Sequence, residues 1–255
     1  MTQFRPSRFQ VLPPVIKNLL IINVLVIIAQ NTIGSKYFIF NDVFALHSWH
    51  SSLFKPWQLV THMFMHSGFD HIFSNMLALY MFGSVLENLW GAKRFVIFYF
   101  ACGFGAALFH LTALFFEQAT MMAQFNNAND LLTLKSFIQN NMDGLVSDGL
   151  ISFNKETAYE IVQLHINQAT LGASGAVFGC LAAFGYLFPN TEIYLYFFIP
   201  LKAKWFVLLY AAFELTMAFR NSAGDEVAHI AHLGGAVVGF ALVYFWNKTN
   251  KKRFY

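Results

Sequence analysis

The chain has 255 residues, of which 57% are apolar, 18% aromatic and only 11% charged, with a mean hydropathy of +0.50. An ordinary soluble domain carries about 25% charged residues, so a soluble fold of this length is excluded, and disorder with it. The net charge is only +3 and the two cysteines, Cys102 and Cys180, lie in apolar runs, which leaves no nucleic-acid-type basic patch and no disulfide framework.

The composition is that of an all-α, polytopic membrane protein. A crossing helix needs about 20 mainly apolar residues, because lipid satisfies no free backbone amide. Six segments qualify: 16–33, 69–89, 95–116, 171–188, 199–219 and 227–247. The first lacks a small-residue cleavage pattern and is expected to be a retained helix rather than a signal peptide. Between the first two lies an outer loop, 34–68, whose Trp49, Phe54 and Trp57 suit a segment resting in the membrane interface. A polar outer insertion, about 118–170, contains two amphipathic pieces, 130–138 and 155–166. The inner connections are short.

An even number of crossings puts both termini on one side. Eleven of the sixteen Lys and Arg residues share that side, and Lys36, Lys55, Lys135, Lys155 and Arg220 lie opposite. The positive-inside rule then makes the termini cytoplasmic. The expected organisation is a cytoplasmic segment 1–15, a six-helix domain 16–247 and a basic tail 248–255.

Polar side chains inside crossing segments cost roughly 2.5–3.5 kcal/mol each on insertion scales, so they are candidates for function. Ser174 opens the fourth segment within Gly172-Ala173-Ser174-Gly175. Glycines permit close approach, and the free amides of a helix start favour developing negative charge. A nucleophile needs that placement, although an isolated motif of this kind also describes a plain N-cap. His232 shares a helix face with Gly235 and Gly239. Packing that face on Gly175 and Gly179 brings the imidazole toward Ser174 and supplies the base that a weak hydroxyl nucleophile requires. Alone, each residue is as well explained by interhelical hydrogen bonding; together at one depth they point to catalysis.

His71 and Asn75, one turn apart, can donate to an oxyanion or, as a polar pair, hold the first outer loop. His62 and His66 are expected to pin the outer loop, and His229 either to assist His232 or to face water at the helix mouth. Glu87, between Gly83 and Gly91, is expected to be a structural pin bonded to its own turn or to Arg94. Phe178, one turn below Ser174, is core or a platform for the His232 ring. Glu214 sits in mid-segment with no partner evident from the sequence.

This set resembles the rhomboid intramembrane serine proteases. The resemblance rests on Gly172-Ala173-Ser174-Gly175, on Ala231-His232-Leu233-Gly234-Gly235 with Gly239, on His66 through His71 to Asn75, and on Gly83-x-x-x-Glu87-x-x-x-Gly91, in order along segments two to six. It implies a six-helix bundle, a Ser174–His232 dyad with no acidic third member, and an oxyanion hole of the Ser174 amide with His71 and Asn75. It also implies no metal or organic cofactor, and as substrate a transmembrane helix of another membrane protein, in contact with lipid, cut near its outer end after sideways passage between helices two and five. A bacterial inner (plasma) membrane is the expected setting. The insertion is longer than the family's minimal form, and Phe178 stands where some members carry tyrosine. A histidine-ligated metal or haem protein explains the paired histidines but leaves Gly-Ala-Ser-Gly without a role; a non-catalytic binder of membrane helices is a third reading.

Overall fold

The computed structural model describes residues 9–34, 40–128, 130–141, 155–195, 198–218 and 226–249. Arg5, Arg8, Lys36, Arg220, the tail beyond residue 249 and residues 142–154 of the insertion lie outside this set. Within it the chain is mostly helical. Three helices are long and apolar enough to cross a membrane by length and composition alone, within Pro14–Ile33, Ala92–Asn127 and His229–Lys248.

Helix α1 (Pro14–Ala29) starts on a proline, where a missing N–H is no loss, and runs on through one π-helical turn, Gln30–Gly34. Glu87 ties its start: the two carboxylate oxygens accept the N–H groups of Val15 and Ile16, each at 2.9 Å. The carboxylate thus satisfies orphan donors where the helix dipole favours negative charge. Glu87 is bonded neither to its own turn nor to Arg94, as the sequence suggests; Arg94 lies over the Trp246 ring instead.

The first outer connection carries two short helices, α2 (Phe40–Phe44) and α3 (Gln58–Thr61), the latter closed by a 3₁₀ turn, His62–Phe64. The buried Gln58 amide holds this connection, donating to the Leu53 carbonyl at 2.9 Å and accepting from the Lys55 N–H at 3.0 Å. Helix α4 (Phe69–Ala78), a π-helical turn (Leu79–Gly83) and α5 (Ser84–Trp90) form one unbroken rod.

Helix α6 (Ala92–Asn127) has 36 residues, about 54 Å at 1.5 Å per residue, and overshoots the expected 95–116 on the outer side. Met121 and Phe125 continue the helical period there, and they pack on Phe137 of α7 (Leu131–Asn141) and on Ile161 and Val162 of α8 (Lys155–Ile166). The insertion therefore has a small core of its own.

Helix α9 (Ser174–Leu187) is central, and only Ser174, Phe178 and Tyr186 along it escape full burial. Its expected first three residues are not helical: Thr170 pairs with Leu46 of the outer connection through two backbone hydrogen bonds of 2.8 Å, and the chain turns through Gly172 before the helix begins. After α9, strands β1 (Glu192–Leu195) and β2 (Ile199–Lys202) pair antiparallel, with Glu192 opposite Lys202. Helix α10 (Ala203–Ala218) consequently begins four residues later than expected; Pro200, which has no N–H to give a helix, belongs to the strand. Helix α11 (Glu226–Thr249) completes the described chain.

Glycines set the packing around α9. A Cβ on Gly239 would lie 2.6 Å from both the Cα and the carbonyl oxygen of Gly179, and one on Gly235 would overlap the Gly175 carbonyl. On the other flank, a Cβ on Gly179 would meet Cys102 of α6 at 2.5 Å. Helices α9 and α11 therefore pack backbone to backbone, as small residues allow at membrane helix contacts, and the Cys102 side chain of α6 fills the space beside Gly179.

Candidate active site

The close approach of α9 and α11 joins the two residues singled out in the sequence. His232 Nε2 lies 2.8 Å from Ser174 Oγ. The imidazole stacks on Phe178, with ring centroids 4.3 Å apart and planes 4° from parallel. Phe178 is one turn below Ser174 on the same face, so the ring that carries the base is seated by the helix that carries the hydroxyl.

Ser174 is the first residue of α9, so its N–H precedes the intrahelical ladder. Gly172, two residues before, has φ +132°, a conformation that side chains resist. A Cβ there would also lie 2.8 Å from Nε2 of His71 and 3.6 Å from Ser174 Oγ. Gly172 thus clears one point in space that the His71 ring and the serine hydroxyl both face. The Gly172 N–H donates to the His62 carbonyl at 2.9 Å, fixing the approach to the helix.

His71 approaches from α4. The Ser67 N–H donates to its Nδ1 at 3.4 Å, and Ser67 Oγ is 3.0 Å from the same atom. With Nδ1 accepting, the neutral ring carries its proton on Nε2, toward Gly172. Asn75 is buried one turn further along, and its amide donates to the His71 carbonyl at 2.9 Å. That bond uses one of its two amide hydrogens.

His66 packs edge-on against His71 at 5.0 Å, and its backbone is clasped by the Gln30 side chain through bonds of 3.1 and 3.2 Å. His62 is buried, with Nδ1 2.7 Å from the Gln58 carbonyl. Burial pushes the His62 and His66 imidazoles down to about 4; both rings are neutral at physiological pH, and it is the His62 ring and the His66 backbone that are tied down.

These elements enclose a cavity of about 140 Å³ lined by His71, His110, Thr170, Ser174 and His232 among others. At about 30 Å³ per water it has room for roughly four. Sequence reasoning passed over His110, whose Nε2 lies 2.6 Å from Thr170 Oγ1. The sequence also leaves Glu214 without an evident partner and His229 divided between assisting His232 and facing water. Glu214 is buried on α10 and its Oε2 lies 2.6 Å from His229 Nδ1 and 3.1 Å from His232 Nδ1. The expectation that no acid stands behind His232 is therefore corrected by geometry. The signal was present: a carboxylate in mid-helix needs a partner, and His229 and His232 share a face three residues apart.

The rhomboid domain family matches residues 53–123 and 131–248, and the chain belongs to that family. It is 27% identical over 195 residues to Rhomboid protein 1, mitochondrial, of Saccharomyces cerevisiae, covering 74% of this chain and 42% of that protein. Two Arabidopsis thaliana proteins are also similar. RHOMBOID-like protein 12, mitochondrial, is 27% identical over 234 residues (89% of this chain, 58% of that one). RHOMBOID-like protein 6, mitochondrial, is 25% identical over 189 residues (74% and 43%). The chain thus spans about half the length of these relatives. Their mitochondrial names overturn the expectation of a bacterial inner membrane.

Proposed function

We propose that this chain is an intramembrane serine endopeptidase that cuts a transmembrane helix of another membrane protein near its outer end. The observation that carries the reading is the 2.8 Å contact between Ser174 Oγ and His232 Nε2 at the wall of a cavity with room for several waters. Six crossing elements form the bundle: α1, the α4–α5 rod, α6, α9, α10 and α11. The aromatic first connection lies in the outer interface.

The depth of the chemistry follows from helix length. Helix α9 has 14 residues, about 21 Å, against a hydrocarbon layer of about 30 Å. With the β1–β2 hairpin and its Lys202 at the inner surface, Ser174 ends up below the outer boundary. The cavity brings the water that hydrolysis consumes.

Ser174 Oγ attacks the scissile carbonyl and its proton passes to His232 Nε2. The tetrahedral oxyanion is held by the Ser174 N–H and the Nε2–H of His71, with Asn75 offering its second amide hydrogen. His232 then protonates the leaving amine, and a cavity water attacks the acyl-serine by the reverse proton path. Gly172, Gly175, Gly235 and Gly239 keep the two helices close enough for this exchange, and Phe178 holds the ring. No step calls on a metal or organic cofactor.

The test is cleavage of a model transmembrane substrate by the purified protein in detergent. A single product that disappears in Ser174→Ala and in His232→Ala, and is indifferent to chelator, is expected. Cleavage that persists in Ser174→Ala refutes the mechanism, and loss on chelation favours metal chemistry instead.

A further inference from the structure

We infer that Glu214 is a third, positioning member behind the Ser174–His232 pair, so that this protease operates a Ser-His-Glu relay of hydrogen bonds inside the membrane; the inference rests on the proteolytic reading above. A carboxylate in a crossing helix is costly unless it is bonded or hydrated. Glu214 and Ala203 are the buried residues of α10, and Glu214 is 3% exposed. Its cost is met by two imidazoles that converge on a single oxygen, Oε2.

The chemistry of that convergence is specific. A neutral imidazole has one N–H and one bare nitrogen. A carboxylate 3.1 Å from Nδ1 of His232 holds the proton on that atom, which leaves Nε2 bare toward the Ser174 hydroxyl. This is the tautomer a general base needs. When the Ser174 proton moves to Nε2, the ring becomes an imidazolium between the serine and an ionised carboxylate; Glu214 takes no proton and lowers the energy of that state by its charge. His229, one turn before His232, donates from Nδ1 to the same oxygen and clamps the carboxylate in place. Among the described residues, Phe178 of α9 stacks on the His232 ring, the charge of His232 reaches His71 of α4, and Tyr210 of α10 lies near enough to Glu214 to feel its charge.

The test compares wild type, Glu214→Gln and Glu214→Asp as full chains in detergent, measuring kcat, KM and the pH profile of kcat/KM on a transmembrane substrate. Glutamine fits the space but carries no charge, and its amide can offer a donor to Nδ1. The expected result is a fall in kcat on the order of 10²–10⁴, with KM within about twofold. The acid limb of the profile, which reports the free base, is expected to move to lower pH by about 1 unit or more on losing the neighbouring negative charge. Aspartate is expected to return the acid limb to its wild-type position while recovering part of the rate. Wild-type kcat and an unmoved acid limb in Glu214→Gln overturn the inference. So does an equal loss in both variants with an unmoved acid limb and a lowered thermal midpoint, which marks a packing role. Failure of the proteolytic reading looks different: cleavage then persists in Ser174→Ala whatever stands at 214.

Discussion

Replacing Gly239 with alanine adds a single methyl group seven residues below His232, and it tests whether backbone contact between α9 and α11 sets the geometry of the site. The added Cβ would lie 2.6 Å from the Cα and the carbonyl oxygen of Gly179. Carbon atoms at rest sit about 3.5–4.0 Å apart, and the obstacle is backbone that cannot rotate away. The helices must therefore separate by about 1 Å. His232 rides on the same rigid helix about two turns above. A shift of that size breaks the 2.8 Å contact with Ser174 Oγ. Overpacking costs about 1–3 kcal/mol, and a displacement of about 1 Å at reacting atoms costs about 10²-fold in rate. The assay pairs thermal unfolding in detergent with cleavage of a transmembrane substrate. Wild-type rate together with a wild-type midpoint would refute the claim that these glycines hold the two catalytic helices in register.

Other outcomes follow from single contacts. Glu87→Gln removes the charge from a cap that serves two N–H groups; a loss of about 1–2 kcal/mol in stability is expected, with kcat per folded enzyme unchanged, read by unfolding and active-site titration. Phe178→Leu keeps bulk but removes the ring on which His232 lies; a fall in kcat of about 3–10-fold is expected from the aromatic increment, measured at saturating substrate. The buried His62 has a pH signature. Its folded imidazole titrates at about 4 against 6.5 unfolded, so its contribution is complete above pH 6.5 and falls away as the pH drops toward 4, by up to about 3 kcal/mol. A thermal midpoint measured from pH 8 to 4 should decline over that window, and less so in His62→Gln.

The parts of the site carried by local spacing were legible in the sequence. Glycine-flanked Ser174 and the face shared by His232, Gly235 and Gly239 need only helical periodicity to be seen, and the family resemblance that they carried agrees with the family match. Pairings across helices were less legible. Nothing in the spacing of Glu87 names the start of α1, 71 residues earlier, as its partner. Glu214 stands 18 residues from His232 across a helix boundary, and only the packed bundle brings them together. Element ends blurred where hydropathy changes slowly. Leu171, Gly172 and Ala173 read as helix, yet the bridge between Leu46 and Thr170 and the positive φ of Gly172 keep the helix from starting before Ser174. Residues 199–202 are apolar enough for a membrane segment but pair as a strand. Along α6 the apolar period runs on past the lipid boundary, because the insertion has its own core to cover.

One reactive hydroxyl activated by one imidazole is the core of the proposed chemistry, and covalent labelling reads that directly. The purified protein, treated with a fluorophosphonate and mapped by mass spectrometry, is expected to carry a single adduct on Ser174, formed far more slowly in His232→Ala. An adduct on another residue, or labelling of Ser174 at an unchanged rate in His232→Ala, would contradict it.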